Sequence, residues 1–174
     1  MKSPPALPPE HRLLLICRHA KSSWEGEVCR DIDRPLNKRG QRDAPEMGQR
    51  LKRRPLLPDL IITSPAVRAL TTAELIAAQL GYPLAGVRIN PAQYAATVPS
   101  LLAQLRLIEP QYTRVMIVGH NPEFTALANV LGGLAIDNLP TCGMVALALP
   151  LASWDHLAPG SGTLVFYDFP KNNG

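Results

Sequence analysis

Three short polar clusters in this 174-residue chain carry side chains that could do chemistry on phosphate. Each cluster follows a short apolar segment: Arg18 and His19 follow the first, Arg68 lies shortly after the second, and His120 follows the third. An unprotonated imidazole can attack phosphorus, and the planar guanidinium of arginine matches phosphate oxygens two at a time. Two histidines and two arginines in one pocket would therefore bind and transfer a phosphoryl group.

The residue types predict a distinct role for each side chain in such a pocket. His19 is the candidate nucleophile, because nearby cations lower the pKa of an imidazole and keep its lone pair free. His120 would donate a hydrogen bond or positive charge to the phosphoryl oxygens, which Arg18 and Arg68 would also hold. Ser22 is a further candidate phosphate-binding residue, although a serine at this position could instead cap a turn.

A metal site is an alternative interpretation of the same histidines. Cys17, His19 and His120 could be its ligands, but they include no close-spaced pair such as HxxxH, and the carboxylates of a catalytic metal site are missing. We therefore expect neither a metal nor another cofactor. The three cysteines, at 17, 29 and 142, have no CxxC spacing, which favours a reducing, cytoplasmic compartment over a disulfide framework.

The composition is that of a globular domain, and it limits the possible partners. Hydrophobic residues make up 46% of the chain and charged residues 18%. We expect a Pro-rich leader at 1–10 and a single catalytic domain at 11–174. The net charge of +4 suits an anionic ligand, but the basic runs of a nucleic-acid binder are missing. No segment approaches the ~20 apolar residues of a membrane span, so we expect a soluble protein with no membrane partner.

Strands alternate with helices along most of the chain, which predicts an α/β fold, a three-layer helix-sheet-helix sandwich. The sheet should be mostly parallel with about six strands. Because no clear helix joins the last two strands, we expect an antiparallel strand near the C-terminus. The predicted strands are 12–17, 60–63, 87–90, 115–118, 144–149 and 163–169. The predicted helices are 37–53, 65–80, 99–108 and 122–132.

Turn residues predict where two of these helices begin. Ser64 and Pro65 are typical of an N-cap and a first helical residue after the second strand, and Asn121 and Pro122 are typical of the same after the fourth. In the first helix, Pro45 predicts a kink or a restart. Ligands collect at the carboxyl ends of parallel strands, so one pocket could hold all three polar clusters.

Five segments of the sequence match the motifs of a known family. They are RHAKS at 18–22, RPLNKRG at 34–40, PDL at 58–60, SPAVRA at 64–69 and VGHNP at 118–122. In this order and spacing they resemble the histidine phosphatase superfamily, which has the phosphoglycerate-mutase-like fold, and within it the short SixA-like phosphohistidine phosphatases. The resemblance implies a phosphorylated His19 intermediate, with Arg18, Arg68 and His120 completing the phosphate pocket.

The chain departs from this family in its leaving-group acid. In the mutase and acid-phosphatase branches a carboxylate after the third strand protonates the leaving group, but here no Asp or Glu occurs between Glu74 and Glu109. Imidazole is far less basic than an alkoxide, so the gap favours a phosphoramidate substrate. An acid could instead come from the loop after His19. Its carboxylates are Glu25, Glu27, Asp31 and Asp33.

Other side chains of this region have structural interpretations. Asp33 could pair with Arg34 or Arg39. Trp24 could line the mouth of the pocket, but packing beneath its loop is the favoured interpretation. Cys142 has no adjacent base and is expected to be a small buried residue rather than a nucleophile.

The sequence thus predicts a metal-independent phosphohydrolase that forms a covalent phosphohistidine. Its expected substrate is phosphohistidine on a phosphorylated protein. Two alternatives stay open: an enzyme of the same mechanism acting on a small phosphoester, and a phosphate-recognition module without turnover.

Overall fold

The first strand, β1 (Arg12–Arg18), lies inside the sheet and leads directly to His19. Its residues are almost wholly buried because both of its faces are covered, which explains the unbroken apolar segment in the sequence. The structure is a computed structural model and describes residues 8, 10–26 and 30–173. The leader predicted at 1–10 therefore lies outside the described residues, except for Pro8 and Glu10.

Six strands form one mixed sheet within the described residues. The other five are β2 (Leu60–Thr63), β3 (Arg88–Ile89), β4 (Arg114–Gly119), β5 (Met144–Leu149) and β6 (Thr163–Asp168). Their order across the sheet is β3-β2-β4-β1-β5-β6, and the first four of these pair in parallel. β5 is antiparallel to both of its neighbours. This topology confirms the predicted mostly parallel sheet with an antiparallel strand near the C-terminus.

Helices cover both faces of the sheet and complete the predicted three layers. They are α1 (Lys38–Lys52), α2 (Val67–Leu80), α3 (Val98–Arg106) and α4 (Glu123–Gly132). α1 and α2 pack on the face that carries Leu13, Leu15 and Cys17, whereas α3 and α4 pack on the face that carries Leu14 and Ile16. Successive side chains of β1 point to opposite faces of the sheet, so its apolar residues are divided between two cores. No helix in the described part of the chain is long and apolar enough to span a membrane.

The first helix differs from the prediction at Pro45. Asn37 caps α1, since its side-chain oxygen accepts a hydrogen bond from the Gly40 N–H at 2.9 Å. The helix then continues through Pro45 to its end without a restart, so a restart there was a wrong expectation. Proline removes one helical N–H, and the packing of Met47 and Leu51 into the core below stabilises the continuous helix.

The turn after β2 also differs from the prediction. α2 begins at Val67 rather than at Pro65, and its cap residue, Ala66, offers no side-chain bond. Ser64 instead accepts a hydrogen bond from the Ala66 N–H at 3.2 Å, which closes a tight turn ahead of the helix. The Ser64 hydroxyl is therefore placed at the end of β2, where it can contact the other clusters.

The capping contact predicted for α4 is present. The Asn121 side chain accepts hydrogen bonds from the Thr125 N–H at 3.1 Å and from its hydroxyl at 2.8 Å. The helix begins at Glu123, one residue after Pro122. The other predicted strands and helices begin and end within two residues of their observed bounds, which is the usual uncertainty of such boundaries.

Gly40 gives a test of how α1 packs against the loop after β1. A Cβ at this position would overlap the backbone carbonyl oxygen of Lys21 and lie 3.0 Å from its nitrogen. Backbone atoms cannot rotate away, so we expect Gly40→Ala to lower the free energy of unfolding by about 2 kcal/mol or more. Urea denaturation measures this free energy. The exposed Gln41→Ala on the same helix is the control and should change it by less than about 0.5 kcal/mol. Equal stability of the two variants would contradict this packing.

Candidate active site

The carboxyl ends of β1, β2 and β4 meet at one edge of the sheet and bring the predicted clusters together. Backbone pairing extends past the strands: the His19 N–H donates to the Gly119 carbonyl at 2.9 Å, and the Ser64 N–H donates to the Val118 carbonyl at 3.0 Å. These bonds fix where each cluster leaves the sheet. The ring centres of His19 and His120 consequently lie 5.2 Å apart.

The His19 ring is buried and held in one orientation by its own chain. Only 8% of the residue is exposed, and Nδ1 lies 2.7 Å from the carbonyl oxygen of Ala20. A carbonyl oxygen can only accept, so we assign the hydrogen to Nδ1 and the free lone pair to Nε2. Nε2 is therefore the atom of this ring that can act as a nucleophile.

A threonine on α2 positions the backbone that holds this ring. The buried Thr72 hydroxyl accepts a hydrogen bond from the Ala20 N–H at 3.0 Å and donates one to the Arg68 carbonyl at 2.7 Å. The two bonds join the loop after β1 to the first turn of α2. They fix the positions of the His19 and Arg68 backbones relative to each other.

His120 contacts the cluster after β2 through both of its ring nitrogens. Nε2 lies 2.8 Å from the Ser64 hydroxyl, and Nδ1 lies 3.5 Å from the Arg68 guanidinium. A guanidinium can only donate, so Nδ1 accepts this weak bond and Nε2 donates to Ser64. The contacts hold the His120 ring beside that of His19.

One cavity of about 230 Å³ brings together the four residues predicted for phosphate transfer. It is lined by Arg18, His19, Lys21, Ser22, Trp24, Arg34, Arg68, His120, Asn121 and Thr141. Arg18 donates to the Leu139 carbonyl at 2.9 Å, and burial lowers the pKa of its guanidinium. The ordinary pKa of arginine is so high that the group stays charged. The cavity therefore offers concentrated positive charge to an anion.

Both imidazoles are kept neutral by their surroundings. Burial above all lowers the pKa of His19 to about 3, and the neighbouring His120 and Arg68 act in the same direction. Burial and then Arg68 lower the pKa of His120 to about 4, although the charge of Asp31 opposes them. His19 thus has its lone pair available at neutral pH. A bound anion would raise the pKa of His120 and favour its protonation.

Ser22 lies in the cavity wall, where its hydroxyl has a partner within the protein. It accepts a hydrogen bond from the Arg34 guanidinium at 2.6 Å. Arg34 is itself buried and also donates to the Ser23 carbonyl and to the Asp31 carboxylate, each at 3.1 Å. These contacts anchor the loop after β1. A direct contact of Ser22 with phosphate stays a prediction.

Two other side chains of this loop differ from the prediction. Trp24 lies at the mouth of the cavity with 80% of the residue exposed, and not beneath its loop. The Arg34 guanidinium stacks 3.3 Å from the ring centre, and this cation–π contact stabilises the exposed indole. The Asp33 carboxylate pairs with the Arg30 guanidinium at 2.8 Å rather than with Arg34 or Arg39. Arg30 lies three positions before Asp33, and the short helical turn of residues 31–33 brings their side chains together.

The remaining interpretations of the sequence concern the cysteines, Glu27 and a metal site. Cys142 is fully buried, and a hydrogen bond with Cys17 together with burial raises its pKa, so the thiol stays protonated. Glu27 and Cys29 are outside the described residues. Among the residues that are described, no group of three or more His, Cys, Asp or Glu side chains is arranged to hold a metal ion.

Asp31 and Tyr94 reach the site from two different loops. Asp31 Oδ2 accepts hydrogen bonds from the Tyr94 hydroxyl at 2.7 Å and from the Arg68 guanidinium at 3.0 Å. The Tyr94 hydroxyl above all, with Arg34 and Arg68, holds the pKa of Asp31 well below its usual range. Asp31 is therefore an anion at neutral pH and has no proton to donate.

Sequence reasoning named Asp31 only as one of four possible acids, and it missed Tyr94. The signal for Tyr94 was its position shortly after β3, another parallel strand with its carboxyl end at the same edge of the sheet. The signal for Asp31 was weaker, because the course of its loop depends on the Arg34 and Arg68 contacts.

Comparison with known proteins identifies the family. A sequence model of the histidine phosphatase superfamily (branch 1) matches residues 14–91. An uncharacterised chloroplastic protein of Arabidopsis thaliana is 35% identical over 159 residues, which cover 87% of this chain and 72% of that protein. The chain belongs to the histidine phosphatase superfamily, as its motifs predicted.

Solved structures place the fold close to one group of this superfamily. A protein of Nakamurella multipartitia, assigned as phosphohistidine phosphatase SixA, superposes with a TM-score of 0.78 at 25% identity, over 92% of this chain and 97% of its own. The protein with the same assignment from Agrobacterium tumefaciens gives a TM-score of 0.76 at 25% identity, over 91% and 98%. These likenesses confirm the predicted SixA-like α/β fold, and they support a phosphatase activity.

The buried neutral histidines predict a pH dependence of stability. The pKa values of His19 and His120 in the folded protein, about 3 and about 4, lie below the ordinary value of 6.5. On acidification below pH ~6.5 the unfolded chain therefore binds protons that the folded chain does not. The free energy of unfolding should fall by up to about 1.4 kcal/mol per histidine for each pH unit below the unfolded pKa and above the folded one.

Urea unfolding at several pH values between ~7 and ~4.5 measures this slope. His19→Gln removes one of the two contributions, so this variant should lose less stability over the range than the parent protein. His156→Gln changes an exposed histidine and should leave the slope as it is. The same slope in His19→Gln as in the parent would contradict a buried, neutral His19.

Proposed function

We propose that this protein is a metal-independent phosphatase that hydrolyses phosphohistidine on a protein through a phosphorylated His19. The observation that carries the proposal is the free Nε2 lone pair of His19, buried beside two guanidiniums and a second imidazole. The positive charge that phosphoryl transfer needs is available from Arg18 and Arg68. The likeness to proteins assigned as SixA supports the same substrate class.

In the first step, His19 Nε2 attacks phosphorus in line with the leaving nitrogen. A P–N bond forms to His19 as the P–N bond of the substrate breaks, and the electron pair of that bond returns to the substrate ring. Arg18 and Arg68 hold the phosphoryl oxygens and offset their negative charge. The bound anion raises the pKa of His120, and the protonated ring then donates to the same oxygens.

In the second step, water hydrolyses the phosphorylated His19. An O–P bond forms as the P–N bond breaks, the electron pair returns to Nε2, and the proton of the water passes to phosphate or solvent. The hydrogen bond from Nδ1 to the Ala20 carbonyl keeps the ring in one orientation through both steps. The enzyme therefore ends in the form in which it began.

The lack of an acid to protonate the leaving group favours a phosphoramidate over an ester as the substrate. The segment after β3 reads NPAQYAA at 90–96 and has no carboxylate, and Asp31 is ionised. An alkoxide must gain a proton as it leaves. A phosphoimidazole whose other nitrogen is protonated leaves as neutral imidazole and needs no acid. The described site therefore suits phosphohistidine better than a small phosphoester.

A comparison of two substrates, with a chelator present, tests this proposal. A phosphohistidine-bearing protein should be hydrolysed with a kcat/KM at least about a hundredfold above that for a phosphoserine-bearing protein, because a missing general acid costs about that factor or more on an alkoxide. His19→Ala should lower the activity by about a thousandfold or more. His156→Ala, at an exposed position, is the control and should retain full activity.

Three outcomes would contradict the proposal in different ways. Faster hydrolysis of the ester would point to a phosphomonoesterase with an acid elsewhere in the chain. Phosphate binding without turnover of either substrate would point to a recognition module. Full activity of His19→Ala would remove the covalent mechanism.

A further inference from the structure

A second cavity of about 240 Å³ borders the phosphate cavity. The two share Arg68, His120 and Asn121 in their walls, whereas His19 lines only the phosphate cavity. A phosphoryl group held by Arg68 and His120 can therefore face His19 on one side and the second cavity on the other. In-line displacement places the leaving group opposite the nucleophile. The second cavity is thus in position to receive the leaving group.

The walls of this second cavity combine an apolar surface with negative charge. The buried side chains of Leu101 and Phe124 provide apolar contacts, and the rings of Phe124 and Tyr94 provide flat surfaces. Asp31 and Glu123 provide two carboxylates. A flat ring that carries a positive charge matches these walls, and an anionic or purely aliphatic group does not.

Asp31 is fixed in this wall by three different side chains. Its Oδ2 accepts from Tyr94 and Arg68, and its Oδ1 accepts from Arg34. A carboxylate has about four acceptor positions, so a further N–H can still bind to it. The contacts hold Asp31 as a negative charge next to the guanidinium that binds the phosphoryl group.

We propose that this second cavity is a leaving-group subsite, in which Asp31 accepts a hydrogen bond from the protonated ring nitrogen of a phosphoimidazole. The proposal rests on the function proposed above and assigns its selectivity to a residue. The carboxylate favours the cationic form of the substrate ring, which is the form that can leave as neutral imidazole.

The bonds and protons of the transfer balance without an acid from the protein. The His19 lone pair forms the new P–N bond, and the electron pair of the broken bond returns to the substrate ring. The other nitrogen of that ring carries its proton before and after the step. Asp31 therefore accepts a hydrogen bond throughout and neither gains nor loses a proton.

Two small substrates separate this role from a merely structural one. Phosphoimidazole needs its protonated form to react, whereas p-nitrophenyl phosphate has a leaving group that departs as a stable anion. Both reactions use His19 and Arg68, so displacement of Arg68 would slow both. In Asp31→Asn, we expect the loss in kcat/KM at pH ~8 to be at least about tenfold larger for phosphoimidazole than for the aryl phosphate.

The pH profile gives a second readout on the same proteins. Because Asp31 favours the protonated ring of the bound substrate, the fall of kcat for phosphoimidazole at alkaline pH should begin at a lower pH in Asp31→Asn, by about one pH unit. Asp33→Asn is the matched control, since this neighbouring carboxylate pairs with Arg30 and lines neither cavity. It should behave as the parent with both substrates. Tyr94→Phe removes one contact of Asp31 and should show the same selective loss to a smaller extent.

Equal losses on both substrates, or none on either, would overturn the role of Asp31. If Asp31→Asn does not fold, the same criteria apply to Tyr94→Phe. A parent protein that hydrolyses the aryl phosphate but not phosphoimidazole would instead overturn the proposed function itself, and with it this subsite. The parent therefore reports on the function, and the variants report on the subsite.

Discussion

The hydroxyl of Thr72 couples the candidate nucleophile to the helix that supplies Arg68. It accepts the Ala20 N–H and donates to the Arg68 carbonyl, and the Ala20 carbonyl in turn orients the His19 ring. All of these groups are buried, so an unmade bond here would cost the full desolvation of a polar group. The spacing between the lone pair of His19 and the cations of the pocket depends on this chain of bonds.

The charges of the site follow from the same arrangement. Buried next to guanidiniums, the imidazoles of His19 and His120 stay neutral, and so the positive charge of the pocket resides on groups that do not titrate near neutral pH. Asp31 offsets part of this charge from the side of the second cavity. The site thus places a cationic cavity beside a second cavity whose wall carries the carboxylates of Asp31 and Glu123.

The sequence predicted the fold, and it predicted that Arg18, His19, Arg68 and His120 meet in one cavity, because strand ends are local features. The apolar segments and the turn residues identify β1, β2 and β4, and the rule for parallel sheets brings their carboxyl ends together. Asp31 and Trp24 could not be placed in this way. Asp31 is held by Arg68 on α2 and by Tyr94 after β3, which are distant in sequence, and Trp24 is held by Arg34 from a later part of its own loop. Such tertiary contacts have no signature in local sequence.

The proposed mechanism requires that His19 becomes phosphorylated during turnover, and this phosphoenzyme can be trapped. The reaction with labelled substrate would be stopped in alkali, and the labelled peptide would be identified after digestion. We expect a single phosphoryl group that is stable in alkali and labile in acid, on the peptide that contains His19. Label on the His120 peptide, or turnover without any labelled protein, would contradict it.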